Sequence, residues 1–212
     1  MKVLILTHGR SGGLSLANWI EKELKLELFH EPFIKLNHDL YVTENLFTKD
    51  NIVVKEFPFN IELYGFDVYD YIKLFDKLII HKRENLRDTA ISHVSGQYRN
   101  QDVKNKSNWH NVYSLDEEWI QKNIKKIEKE ELELLNRNKL LDEIINNPEI
   151  KGLRTTYVGI FDTKMEIPNL LMHLNIENPI LLDMLDNRHK LRNGQIGMNN
   201  YLLKPIIRKK FI

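Results

Sequence analysis

A three-layer α/β fold, with a central, mostly parallel sheet of about four to five strands and helices on both faces, is what this sequence predicts. Three observations lead to it. Short apolar runs, Val3-Leu4-Ile5-Leu6, Ile52-Val53-Val54 and Leu78-Ile79-Ile80, suit strands buried on both faces. Stretches of helical spacing separate them, and strand–helix alternation is the mark of parallel crossovers. The polar clusters Thr7 to Ser15, His30-Glu31, Lys55-Glu56 and Lys82-Arg83 follow or close predicted strands, so a parallel sheet gathers them on the rim where such folds bind ligands.

The first strand runs into Thr7-His8-Gly9-Arg10-Ser11-Gly12-Gly13 and then a helical pattern from Leu14 to Leu24. Glycines at a strand end let the backbone turn tightly, and the unpartnered N–H groups of the following helix start point at whatever the loop holds. The natural occupant is an anion such as phosphate or sulfate. Arg10 and the hydroxyls of Thr7, Ser11 and Ser15 add charge and hydrogen bonds to that pocket. The nucleoside-triphosphate pattern G-x-x-x-x-G-K-[ST] is not met, because counting from Gly9 puts Leu14 and Ser15 where the second glycine and the lysine belong.

Leu26 to Phe29 reads as a second strand that ends at His30-Glu31-Pro32-Phe33, where Pro32 forces a turn. Ile52 to Lys55 is a third strand, Ile61 to Phe75 a mixed helical stretch, Lys77 to His81 a fourth strand and Asn85 to Gln97 a helix. Arg99 to Ser107 is expected to be a loop. Ser114 and Glu117 make a capping box for a long amphipathic helix that runs to Pro148, unbroken or broken near Asn136. Gly152 to Val158 is a last strand and Ile167 to Leu174 a last helix, before a basic tail.

The length of 212 residues suits one domain covering residues 1–212, and no shift in composition divides it. A net charge of +1 sets up no field for nucleic acid, and none is expected as a partner. Cysteine is absent and the eight histidines are scattered, so neither a disulfide framework nor a metal site is expected. No leader pattern or run of membrane-span length is seen, which makes a cytoplasmic location and no membrane partner the expectation.

Lys77 to His93, KLIIHKRENLRDTAISH, joins a strand ending in Arg83 to a helix carrying Ser92. Together with the first loop it resembles the sulfotransferases that use 3′-phosphoadenosine-5′-phosphosulfate. Arg83, Glu84, Asn85, Ala90, Ile91 and Ser92 fit the pattern R-[DE]-[DN]-x-x-x-x-A-[VI]-S of the bacterial carbohydrate type, and Leu191 to Gly197 looks like the R-K-G-x-x-G loop of cytosolic members. The resemblance covers at most about a third of the chain and implies a P-loop NTPase-like fold. It also implies a metal-free reaction in which sulfate passes to a hydroxyl of a carbohydrate or other small acceptor.

The resemblance implies that Gly9, Arg10, Ser11, Gly12, Gly13, Leu14 and Ser15 hold the 5′-phosphosulfate. Gly13 and Leu14 stand where the family has two hydroxyl residues. Arg83 and Ser92, with Arg192, Asn193 and Gly194, hold the 3′-phosphate, Asn193 replacing a basic residue. Arg10 is the cation for the leaving phosphate. The base that takes the acceptor proton is Glu31 or His30, adjacent residues that would face opposite ways in an extended segment. Phe33, Phe57, Phe59, Tyr64 and Trp109 are candidates for lining an acceptor pocket, or for the core. Two other readings stay open: a P-loop-type kinase of a small metabolite, needing ATP and magnesium, and a non-catalytic nucleotide-binding protein on the same fold.

Overall fold

The computed structural model describes residues 1–35, 46, 48–101 and 117–186. Among these, five strands form one sheet: β1 (Lys2–Thr7), β2 (Glu27–His30), β3 (Ile52–Glu56), β4 (Lys77–Lys82) and β5 (Leu153–Thr156). Their order is β2-β3-β1-β4-β5 and every pairing is parallel. The expected three-layer α/β class is therefore what the chain adopts, with the glycine loop between the central strand and the first helix in the P-loop-like manner.

Alternation along β1 builds the two outer layers. Val3 and Ile5 face one side, where they pack with Val53 and Ile79 against α1 (Gly13–Leu24), a π-helical turn (Val158–Asp162), α8 (Ile167–Leu174) and α9 (Leu182–Asp186). Leu4 and Leu6 face the other, against α2 (Pro32–Lys35), α3 (Pro58–Leu63), α4 (Val68–Ile72) and the end of α7 (Ile124–Asn146). These side chains are fully buried, each contributing about 2 kcal/mol by removal from water. A third apolar cluster joins α5 (Leu86–Gln101), α6 (Glu117–Lys122) and α7 beside the sheet.

Several elements differ from the sequence expectation for local reasons. The helical stretch near Ile61 to Phe75 is two short helices, because Gly65 turns with φ +82° and the Asp67 carboxylate then caps α4 through the N–H groups of Tyr69 and Asp70. The long helix breaks at Asn123, where the side chain donates to the Trp119 carbonyl, and passes unbroken through Asn136. Helix α5 continues to Gln101, over the first residues of the expected loop; the rest of that loop, with Ser114, lies outside the described residues. The last strand stops at Thr156, whose N–H and hydroxyl both donate to the Glu166 carboxylate, and a π-helical turn follows. Helix α8 has the expected bounds and ends in the left-handed Asn175.

Because all five strands run the same way, the residues just past them, His8, Glu31, Phe57, Arg83 and Tyr157, share one rim. No described helix is long and apolar enough to cross a membrane.

Candidate anion-binding site at the carboxyl rim of the sheet

The glycine loop is shaped by its own hydroxyls. Thr7 Oγ1 donates to the His81 carbonyl at 2.7 Å and shares a short hydrogen bond with Ser11 Oγ, which also accepts from the Gly13 N–H at 3.2 Å. Thr7 and Ser11 are buried, so these two hydroxyls fold the loop rather than line its mouth. Gly12, the residue before α1, has φ +91°, and a Cβ there would lie 2.9 Å from both Phe161 and Tyr157. A Cβ on Gly13 would come within 2.8 Å of the Thr7 methyl group. The loop thus needs both glycines. The first bond of the helical ladder is Leu16 N–H to the Gly12 carbonyl, which leaves the Leu14 and Ser15 N–H groups ahead of it at the positive end of the helix dipole. Arg10 takes a left-handed φ of +61° at the exposed tip of the loop.

Two neutral histidines brace this platform. His81, fully buried on β4, contacts the Ser11 carbonyl through Nε2 at 3.1 Å and the Thr155 hydroxyl through Nδ1 at 2.9 Å, which fits Nε2–H donating and Nδ1 accepting. Burial, with some help from His8, lowers its pKa to about 3 against the bond to Ser11. His8 accepts the Arg83 backbone N–H at Nε2 (3.2 Å) and contacts the Gly9 carbonyl through Nδ1 (2.9 Å). Burial first, then the charges of Arg137, Arg83 and Lys55, bring it to about 4. Both imidazoles serve as fixed spacers between the loop, β4 and β5.

Cations surround the loop. Arg10 Nε donates to Ser92 Oγ at 3.0 Å, linking the loop to α5. Arg83 Nη1 donates to the Arg10 carbonyl at 3.4 Å, and its guanidinium lies 4.5 Å from the centre of the Tyr157 ring. The sequence-predicted Arg10, Arg83 and Ser92 are therefore one cluster. Helix α5 can present Ser92 there because Asn85 starts it, accepting the Asp88 N–H at 3.0 Å and donating to the Asp88 carboxylate at 2.8 Å.

At the end of β2, Glu31 is not extended but left-handed, with φ +49°, and its N–H donates to the Lys55 carbonyl at 2.8 Å. The expectation that His30 and Glu31 face opposite ways is corrected by this turn, which brings His30 Nε2 to 3.1 Å from Glu31 Oε1. The same oxygen receives the buried Lys55 ammonium in a short contact, and Lys55 also sits 3.6 Å over the Phe57 ring. Burial pushes the Glu31 carboxyl up, but the His30 hydrogen bond and Lys55 outweigh it and hold the group at about 2. Glu56, next to Lys55, is scaffold: its buried carboxylate accepts from the N–H groups of Phe33 and Phe57 and from the Asn60 amide.

Of the aromatic candidates, Phe33 is core, 5.5 Å from Tyr71, whereas Phe59 and Tyr64 are exposed. Phe57 and Phe59 stack at 5.5 Å. Arg192, Asn193, Gly194 and Trp109 lie outside the described residues. Three site residues went unremarked as site members in the sequence: His81, Tyr157 and Phe161. His8 and Tyr157 each sit one residue past a strand, a position that singles out rim residues once the strand ends are known.

No family model matches the chain, and no curated protein matches it. Among solved structures, the chain is similar to the YorR protein of Bacillus subtilis in complex with phosphorylated GDP. The identity is 12%, the TM-score 0.41, and 83% of this chain and 96% of that one are covered. It is also similar to deoxyadenosine kinase from M. mycoides with bound dCTP, at 19% identity and a TM-score of 0.40, covering 82% of this chain and 99% of that one.

Proposed function

We propose that the chain is a nucleotide-dependent group-transfer enzyme, and more narrowly a sulfotransferase that moves a sulfuryl group from 3′-phosphoadenosine-5′-phosphosulfate to a hydroxyl of a carbohydrate or other small acceptor. The observation that carries this reading is the convergence of Arg10, Arg83 and Ser92 beside the glycine loop. A donor with phosphate groups on the 3′ and 5′ oxygens of one ribose needs two anion sites a sugar ring apart. The loop and the start of α1 supply one, and Arg83 with Ser92 supplies the other.

Transfer of this kind moves a group whose charge is spread over its equatorial oxygens, so positioning and charge stabilisation are the protein's main tasks. The donor supplies an activated sulfuryl group. The Leu14 and Ser15 N–H groups hold its 5′ end, Arg10 neutralises the charge that builds on the leaving phosphate, and Arg83 and Ser92 fix the 3′-phosphate. The His30–Glu31 pair, across the rim, takes the proton of the acceptor hydroxyl.

A kinase of a small metabolite is the second reading, favoured by the frame itself: a parallel sheet with a glycine loop between its central strand and the first helix. It needs Arg10 or Arg83 to do what the absent lysine does, since Ser15 occupies that position.

The test is equilibrium binding of adenosine 3′,5′-bisphosphate and of adenosine 5′-monophosphate. We expect the bisphosphate to bind at least about tenfold tighter, a difference of about 1.4 kcal/mol, and Arg83→Ala with Ser92→Ala to abolish that preference. Equal affinity for the two nucleotides in the unaltered protein would overturn the sulfotransferase reading.

A further inference from the structure

Helix α7 extends past the sheet, and its contacts fix where. Leu141 and Ile144 pack with Leu78 and Ile80, and Asp142 takes the ammonium of Lys82, the last residue of β4, at 2.6 Å. Glu130, about three turns earlier, instead lies 2.6 Å from His93 of α5. The turns between them therefore overhang the carboxyl rim. Arg137 and Asn138 stand on that overhang. The Arg137 guanidinium is 5.0 Å from the centre of the Phe59 ring, and Phe59 stacks on Phe57, just past β3. After burial, the Arg137 charge is the foremost of those that lower the His8 pKa. The side chain thus reaches from α7 toward the glycine loop and the end of β3.

The overhang also carries polar atoms that packing alone does not explain. Asn138 is buried at the seam between Leu134, in the α5 cluster, and Leu141, in the sheet cluster, and its Oδ1 has no hydrogen-bond partner among the described residues. Glu130 is buried too, and its Oε1, although close to His93 Nδ1, is out of line for a hydrogen bond with it. Buried polar atoms without partners destabilise a fold, and two on one helix face beside a candidate site point to a ligand that completes them. The chemistry of the set selects that ligand. Arg137 only donates, the carboxylates of Glu130 and Glu133 only accept, and the Asn138 amide does both. The Arg137 charge is offset within the set, by Glu133 at 3.4 Å and Glu130 at 3.9 Å. An anion arriving here would face two carboxylates, whereas a neutral hydroxyl, donor and acceptor at once, suits every member. The partly exposed Phe59 ring adds an apolar surface for the C–H face of a sugar.

We propose that the overhang of α7 binds the acceptor through Arg137 and Asn138, and that the acceptor is an uncharged, polyhydroxylated molecule, a neutral saccharide. This rests on the group-transfer reading above and narrows its acceptor. Arg137 donates to the saccharide oxygens, and the Asn138 amide, whose terminal torsion is soft, turns to meet a hydroxyl. The Glu130 carboxylate accepts from another. A row of contacts joins this surface to the end of β2: Arg137 lies over Phe59, Phe59 stacks on Phe57, Lys55 sits 3.6 Å over Phe57, and Glu31 pairs with Lys55. A saccharide held on α7 therefore lies on the side of the rim where the His30–Glu31 pair stands.

Two measurements test the assignment. The first is an array of immobilised neutral, carboxylated and sulfated saccharides, probed with the protein in the presence of adenosine 3′,5′-bisphosphate. The unaltered protein should be retained on neutral saccharides. Asn138→Leu and Arg137→Gln should each lower that signal at least about tenfold. Retention on charged saccharides alone, on none, or equally by the variants would overturn the proposal. Arg137 is partly exposed, so its replacement leaves the helix packing alone and keeps the test open whatever Asn138→Leu does to folding. The second measurement is urea unfolding of Asn138→Leu, which replaces an unsatisfied buried amide by an apolar group of similar size. The midpoint should rise at constant slope. A fall would make Asn138 a packing residue and sink its role as a ligand contact. Absence of bisphosphate binding in the unaltered protein would instead refute the sulfotransferase reading, and the array repeated without nucleotide would still decide whether α7 holds a saccharide.

Discussion

Acidification from about pH 7.5 to pH 5 should remove about 4 kcal/mol of stability, and the two histidines behind the glycine loop are the reason. His8 and His81 have pKa values lowered from 6.5 to about 4 and about 3, chiefly by burial. The unfolded chain therefore binds protons in this range that the folded chain does not, and stability is complete above 6.5 and falls as the pH drops toward the folded values. At pH 5 the unfolded groups lie 1.5 units above the solution pH, which is about 2 kcal/mol for each histidine. Glu31, lowered from 4.5 to about 2, adds a further loss only below about 4.5. Glu56, raised by burial, works in the opposite direction and regains stability as the pH falls through its raised value. Urea unfolding at about pH 7.5, 6.5 and 5 reads the effect as a falling midpoint at constant slope. His81→Asn retains an acceptor for Thr155 and removes the titrating group. It should lower stability at neutral pH by about 1–2 kcal/mol and flatten the acid limb by about 2 kcal/mol. A wild-type curve flat between pH 6.5 and 5, or an acid limb equally steep in the variant, would refute the reasoning.

Gly12→Ala should destabilise by about 2–4 kcal/mol, because its φ is +91° and the new Cβ would press on Phe161 and Tyr157; nucleotide binding should weaken with it, read by calorimetry on the folded fraction. Asp142→Ala should cost about 1–2 kcal/mol, measured by urea unfolding. It leaves the buried Lys82 without the carboxylate now 2.6 Å away, whereas the exposed Arg154, at 3.3 Å from the same group, loses little. Lys82→Met in that background should recover part of the loss.

The strands were legible because a buried parallel strand is a run of apolar residues, and the runs at Val3, Ile52 and Leu78 sit in the observed strands. The rim followed from strand direction alone. Helix interruptions were harder: Asn123 and Asn136 look alike in sequence, and only Asn123 turns its amide onto the Trp119 carbonyl to break the helix. The partners of the loop were also hidden. Thr7 and Ser11 read as ligand hydroxyls, yet they bond to each other, because the positions of His81 and Gly13 depend on how the loop packs against β4. The meeting of His30 with Glu31 depends on a left-handed residue, which no side-chain pattern announces for a glutamate.

The central claim, that Arg10, Arg83 and Ser92 with the glycine loop form a double anion site for a 3′-phosphorylated nucleotide, is tested most directly by thermal-shift titration with adenosine 3′,5′-bisphosphate beside ATP with magnesium. A ligand that binds only the folded state raises its stability by about 2.7 kcal/mol at a hundredfold excess over Kd. The account predicts that the bisphosphate raises the melting temperature without added metal, and more than ATP with magnesium does. Stabilisation by ATP with magnesium alone would contradict it and turn the site over to a kinase.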